Sequence, residues 1–148
     1  MEVADILSRD CTRSAVPCTS KKRALEIISE LAAQHLDISS QQLFDCLLAR
    51  EKMGSTGIGN GIAIPHGRIG DENRATAVLL TFAEPVEFDA IDNQPVGLVF
   101  ALLVPEQECK QHLKTLSLIA EKLSNKQVCK QLRQAGSDDE LYNIMVSS

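Results

Sequence analysis

The sequence has no tryptophan, one tyrosine and four phenylalanines. So few rings cannot build a base-stacking surface, which excludes one common way of holding single-stranded nucleic acid. Basic clusters are equally scarce. None exceeds Lys21-Lys22-Arg23, and the formal net charge is −5, so the electrostatic footprint of a nucleic-acid partner is missing as well. The most continuous apolar stretch, Val96 to Val104, falls well short of the roughly 20 residues that cross a bilayer, so direct membrane insertion is not expected. The N-terminus, MEVADILSRD, mixes Glu2, Asp5 and Asp10 with apolar residues, unlike the basic start and apolar middle of an export signal. The five cysteines (Cys11, Cys18, Cys46, Cys109 and Cys129) are odd in number, and no pair has CxxC spacing. That pattern suits free thiols packed as small hydrophobes in a reducing cytoplasm, and it gives no support to a zinc site.

What is present points to one globular unit. A chain of 148 residues, 44% hydrophobic, can bury roughly two-thirds of its unfolded surface without a staple, so a single domain over 1–148 is expected. In residues 21–34, Leu25, Ile28 and Ala32 recur at helical spacing. Ser39 and Gln42 form a capping box ahead of a second helix, which should end near Lys52 or Met53 because Gly54 follows. Ala75–Phe82 and Val96–Val104 read as strands, the second apolar nearly throughout, as suits a central strand covered on both faces. Leu113, Leu116, Ala120 and Leu123 mark a helix over roughly 109–123. A short helix follows Asn125, and Ser137 with Glu140 caps a last one through Met145. The order is not a strict strand–helix alternation. It predicts an α/β (α+β) sandwich in which a mixed sheet is flanked by helices.

Six of the eight glycines fall between Gly54 and Gly70, in GSTGIGNGIAIPHGRIG, a composition that argues against helix and against an ordinary strand. Backbone N–H groups at Gly57, Gly59, Asn60, Gly61 and Gly67 are candidates to crowd around an anion, because few Cβ atoms stand in the way. Known nucleotide loops do not match. There is no GK[ST], GIGNGI lacks the third glycine of GxGxxG, and Pro65 stands where a helix should begin.

His66 sits between Pro65, which fixes φ just before it, and Gly67, which removes bulk just after it. That arrangement presents an imidazole openly, and a neutral imidazole can attack phosphorus without special activation. A lone histidine is also a common structural residue. Three further residues have chemistry that suits a phosphoryl group. His112, at the start of the third long helix beside its apolar face, can donate an N–H to phosphoryl oxygens; the bland reading is a half-buried packing residue. The Arg50 guanidinium matches the same oxygens, although an arginine at a helix C-terminus also serves the dipole. Thr56 can donate its hydroxyl, or be an ordinary loop threonine. His35, at a helix end among alanines, reads as a solvated cap.

The stretch REKMGSTGIGNGIAIPHG (50–67) resembles the phosphocarrier IIA domain of the bacterial phosphotransferase system, in the mannitol/fructose class (EIIA type 2). The likeness continues through FDAIDNQPVGLVFALLVP (88–105) and HLKTLSLIAEKLSNKQVCKQLRQAGSDDELYNIM (112–145), segments most like the nitrogen-regulatory branch of that class. The resemblance covers nearly the whole chain. It implies a mixed sheet flanked by helices and a phosphotransferase component with a phosphohistidine intermediate. A phosphohistidine carrier, HPr or its nitrogen-branch counterpart, hands its phosphoryl group in line to Nε2 of the residue matching His66. The resemblance assigns hydrogen-bond assistance to His112 and a place in the polar surround to Arg50. No metal and no cofactor are implied. The regulated partners in such a family include sensor kinases and potassium-uptake components. The alternative is a sugar-specific IIA protein that passes phosphate to a IIB domain.

Overall fold

The computed structural model describes residues 3–147; Glu2, cited above among the N-terminal acids, lies outside them. Six strands form one open mixed sheet: β1 (Leu7–Val16), β2 (Gly57–Gly59), β3 (Ile62–Ala63), β4 (His66–Ile69), β5 (Thr76–Val86) and β6 (Val96–Pro105). The path runs β1-β5-β6-β3-β2, and β4 also pairs with β6. Five α-helices cover the sheet: α1 (Lys21–Ala33), α2 (Ser40–Glu51), α3 (Cys109–Leu123), α4 (Lys126–Gln134) and α5 (Asp138–Ser147). Short 3-10 turns precede β1 and α3.

β6 is the organising strand. It runs antiparallel to β5 on one side and parallel to β3 and β4 on the other. Its side chains alternate between two apolar layers, as a pleated strand requires. Val99, Ala101 and Leu103 meet Leu25, Ile28, Leu43 and Leu47 of α1 and α2. Leu98, Phe100 and Leu102 meet Ile119, Leu132, Leu141 and Met145 of α3 to α5. Both faces are therefore dry, which explains the apolar run in the sequence.

Helix limits agree closely with the spacing and capping signals. Ser39 accepts from the Gln42 backbone N–H at 3.2 Å, Asn125 accepts from Gln127 and Val128, and Ser137 accepts from Glu140. These signals are local and survive whatever the rest of the chain does.

Three expectations need correction. The first concerns β1, for which no strand was expected. Its residues LSRDCTRSAV carry Arg9, Asp10 and Arg13, and its register against β5 slips twice. Cys11 and Thr12, adjacent in sequence, are both buried, and Ala15 sits at φ +51, so no clean period of two exists to be read. The charges suit an exposed edge. The second concerns the glycine-rich segment, which does contain strand. Asn60 and Gly61 both have positive φ (58° and 77°) and form the two-residue turn of the β2–β3 hairpin. The Asn-Gly pair was the signal for this hairpin. The third concerns His35. It is no solvated cap: its side chain is 20% exposed, and Nε2 lies 3.9 Å from Asp10 Oδ2 on β1.

Candidate functional site

His66 opens β4, and its backbone register against Leu102 of β6 fixes where it sits. Pro65 interrupts the line from β3 to β4; having no N–H to donate, it still accepts from the Leu102 N–H at 2.9 Å. β4 continues along β6 in the same register as β3 and lies at the sheet edge, between α2 on one face and α3 on the other. Here a cleft of about 540 Å³ opens, lined by Arg50 and Met53 near the end of α2, His66 and Gly67 of β4, and His112 and Leu113 of α3. The structure thus brings Arg50, the adjacent pair His66 and Gly67, and His112 together from three separate stretches of chain. Met53 (83% exposed) and Leu113 (61%) form an apolar collar at its mouth.

The geometry at His66 decides the ring's protonation pattern. Nδ1 lies 2.8 Å from the Ile64 carbonyl oxygen. A carbonyl only accepts, so Nδ1 must carry the hydrogen, and a neutral ring then keeps its lone pair on Nε2. That lone pair accepts from Arg50 Nε–H at 3.3 Å, while Arg50 Nη1 donates to the Gly54 carbonyl at 2.8 Å. The ring is half-buried, so one nucleophilic nitrogen points to the cleft beside a fixed cation. Cys46, the neighbouring thiol, does not compete with it. Burial raises its pKa above the ordinary value, and its Sγ donates to the Arg68 carbonyl.

His112 is more buried than its position suggested, at 1% exposure. Its Nε2 lies 3.2 Å from Glu108 Oε2, and its Nδ1 is buried with no hydrogen-bond partner.

Thr56 is not in the cleft. It is 4% exposed, and both its hydroxyl and its N–H donate to the Glu51 carboxylate. Glu51 in turn pairs with Lys21 Nζ at 2.7 Å, and Lys21 also donates to the Phe88 carbonyl. This buried network ties α1, α2 and the start of β2 together. Nothing local announced it, because a glutamate reads as buried only once its partner is known.

The other loop residues also have structural work. Gly57 N–H donates to Ser55 Oγ, and Asn60 N–H donates to Asp92 Oδ2 at 2.9 Å. With Gln94 N–H, that bond holds the Asp92 carboxyl below its usual range. Gly59 (φ +101°) and Gly61 (φ +77°) need conformations that side chains resist. Arg133 of α4 donates to the Asn60 carbonyl. Gly57, Gly59, Asn60 and Gly61 therefore build a hairpin away from the cleft rather than an anion cradle. Gly67 alone of the five lines the cleft, where a Cβ would come within 2.5 Å of Cys46 Sγ.

A Cβ on Gly57 would meet Ala90 at 2.7 Å from its Cβ and 2.9 Å from its Cα. Backbone there cannot step aside cheaply. Gly57→Ala is expected to lower stability by about 1–3 kcal/mol, seen as a fall of several degrees in a thermal melt.

An open mixed sheet with helices on both faces, carrying a half-buried imidazole in a cleft at its edge, is the architecture of a phosphotransferase-system IIA domain. Residues 5–148 match the family described as "Phosphoenolpyruvate-dependent sugar phosphotransferase system, EIIA 2", and the chain belongs to it. Among its relatives is the nitrogen regulatory protein of Klebsiella oxytoca, 57% identical over 100% of this chain and 92% of that protein. The crystal structure of nitrogen regulatory protein IIA-Ntr from Neisseria meningitidis superposes with a TM-score of 0.90 at 40% identity, over 97% of this chain and 98% of that one. The mannitol IIA enzyme of Escherichia coli, solved in complex with phosphorylated mannitol IIB, shares the fold (TM-score 0.76, 18% identity, 97% of this chain and 100% of that one). No helix among the described residues is long and apolar enough to cross a membrane.

Proposed function

We propose that this protein is a cytoplasmic phosphorelay component that accepts a phosphoryl group on His66 Nε2 from a phosphohistidine carrier and regulates partner proteins through its phosphorylation state. The observation that carries the reading is the bond from His66 Nδ1–H to the Ile64 carbonyl, which leaves Nε2 as the nucleophile. The carrier, HPr or a nitrogen-branch counterpart, docks on the apolar collar of Met53 and Leu113. Its phosphorus then lies in line with the His66 lone pair. As the new N–P bond forms, Arg50 releases Nε2 and donates to the phosphoryl oxygens, a role its planar fork suits. An N–H of His112 supports the same oxygens from the opposite wall. Transfer between two imidazoles needs little covalent chemistry beyond positioning and charge stabilisation.

The added charge of about −1.5 to −2, by analogy with other phosphorylated side chains, lands beside exposed apolar residues. That is enough to make or break a modest docking contact, with sensor kinases or potassium-uptake components as the regulated class. The names of the more similar relatives favour this regulatory reading over transfer to a sugar-specific IIB domain. Sugar-dependent loss of phosphate to a IIB domain would reverse that preference.

Incubation with the phosphorylated carrier should give acid-labile, base-stable phosphate on the protein. Arg50→Ala should lower the initial rate by about 10²-fold and His112→Ala by about tenfold or more, the scale of losing one donor to a developing anion. Unchanged rates in both variants would remove these two residues from the site.

A further inference from the structure

The Glu108 carboxylate has no part in the mechanism above, yet it touches the second imidazole. We propose that Glu108 is a positioning residue that holds the His112 ring and occupies its donor N–H in the unphosphorylated protein, and that its charge slows phosphoryl acceptance. This rests on His66 being the acceptor.

An ionised carboxylate only accepts hydrogen bonds. His112 Nε2, 3.2 Å from Glu108 Oε2, is therefore the nitrogen that carries the hydrogen, and a neutral ring leaves Nδ1 bare. Nδ1 is buried and has no partner. The ring thus has one donor, and that donor is committed to an anion of the protein itself. His112 and His66 line the same cleft, so an incoming phosphoryl group competes with Glu108 for this N–H and is repelled by its charge.

Glu108 can yield. Its side chain is 42% exposed, and although it stands at the N-cap position of α3 it caps no backbone N–H. Swinging into water therefore breaks only a contact of the weak, part-exposed kind. His112 is 1% exposed and stays in place. The step balances without a proton. The N–P bond of the carrier breaks, its imidazole keeps that electron pair, and the His66 Nε2 lone pair forms the new N–P bond. At His112 only the acceptor changes, from Glu108 Oε2 to a phosphoryl oxygen.

The test compares wild type with Glu108→Gln and Glu108→Ala, reading initial rates of label uptake from the phosphorylated carrier at low and high salt. Both variants should accept phosphate about three- to tenfold faster at low salt, and the ratio to wild type should shrink as salt screens the repulsion. Nitrogen-15 NMR of wild type should find His112 protonated at Nε2 and bare at Nδ1. Rates equal to or below wild type in either variant, a ratio that ignores salt, or a His112 bare at Nε2 would each overturn the proposal while leaving the acceptor assignment intact. If wild type takes no label at all, or His66→Ala takes as much as wild type, the acceptor reading falls and this inference falls with it.

Discussion

Replacing His66 with alanine is expected to abolish phosphoryl acceptance while leaving the fold in place. The backbone pairing of β4 with β6 does not use the ring, which is only half-buried. Arg50 loses its bond to Nε2 but keeps the Gly54 carbonyl. The Ile64 carbonyl also loses its donor, so stability should fall by about 1–3 kcal/mol, the net worth of two ordinary hydrogen bonds. Label uptake should drop to background, because no other imidazole is available. His112 is buried and committed to Glu108, and His35 packs against Asp10 on the β1 side. The check is label uptake beside a thermal melt of the same variant. Full labelling of a folded His66→Ala protein would overturn the assignment.

The largest effect on stability is expected at Lys21. The Glu51 side chain is 2% exposed and its carboxylate relies on Lys21 Nζ at 2.7 Å and on Thr56. Lys21→Met removes the counter-charge and leaves the carboxylate buried. Breaking a buried pair from one side costs about 3–5 kcal/mol, which for a chain of this size lowers the melting temperature on the order of 10 °C. Glu51→Gln should cost less. The amide is neutral, and Lys21, 21% exposed, can turn toward water and the Phe88 carbonyl. The order of the two melting temperatures is the diagnostic. Equal, small shifts would mean that the network does not hold α2 to the start of β2. Because Glu51 is the neighbour of Arg50, Lys21→Met should also slow phosphoryl acceptance.

Much of the scaffold follows from short-range pattern. α1 and α3 lie within a residue or two of where apolar spacing places them, and α2 of where spacing and the Ser39 cap place it, since a helix is closed by bonds four residues apart. The covered central strand was legible from its unbroken apolar run. β1 was not, because two register slips erase the alternation that would reveal it. The glycine-rich segment was read as an anion cradle because glycine signals permissive backbone without saying what approaches it. Ala90, Asp92 and Arg133 approach, all from distant parts of the chain.

Residue type and spacing alone picked out a histidine in the glycine-rich stretch, an arginine at a helix end and a second histidine at a helix start as candidates. They could not settle which nitrogen of each ring is free. That depends on the Ile64 carbonyl standing 2.8 Å from His66 Nδ1, and on how deeply α3 buries His112 beside Glu108. Nor could they show that Thr56 serves a buried carboxylate rather than the cleft. The reason is one of range. Helix spacing and caps are closed by neighbours in sequence. Ile64 and Glu108 are near neighbours too, but the burial of each ring and the contacts of Arg50 with His66 and of Lys21 with Glu51 arise only where separate segments meet.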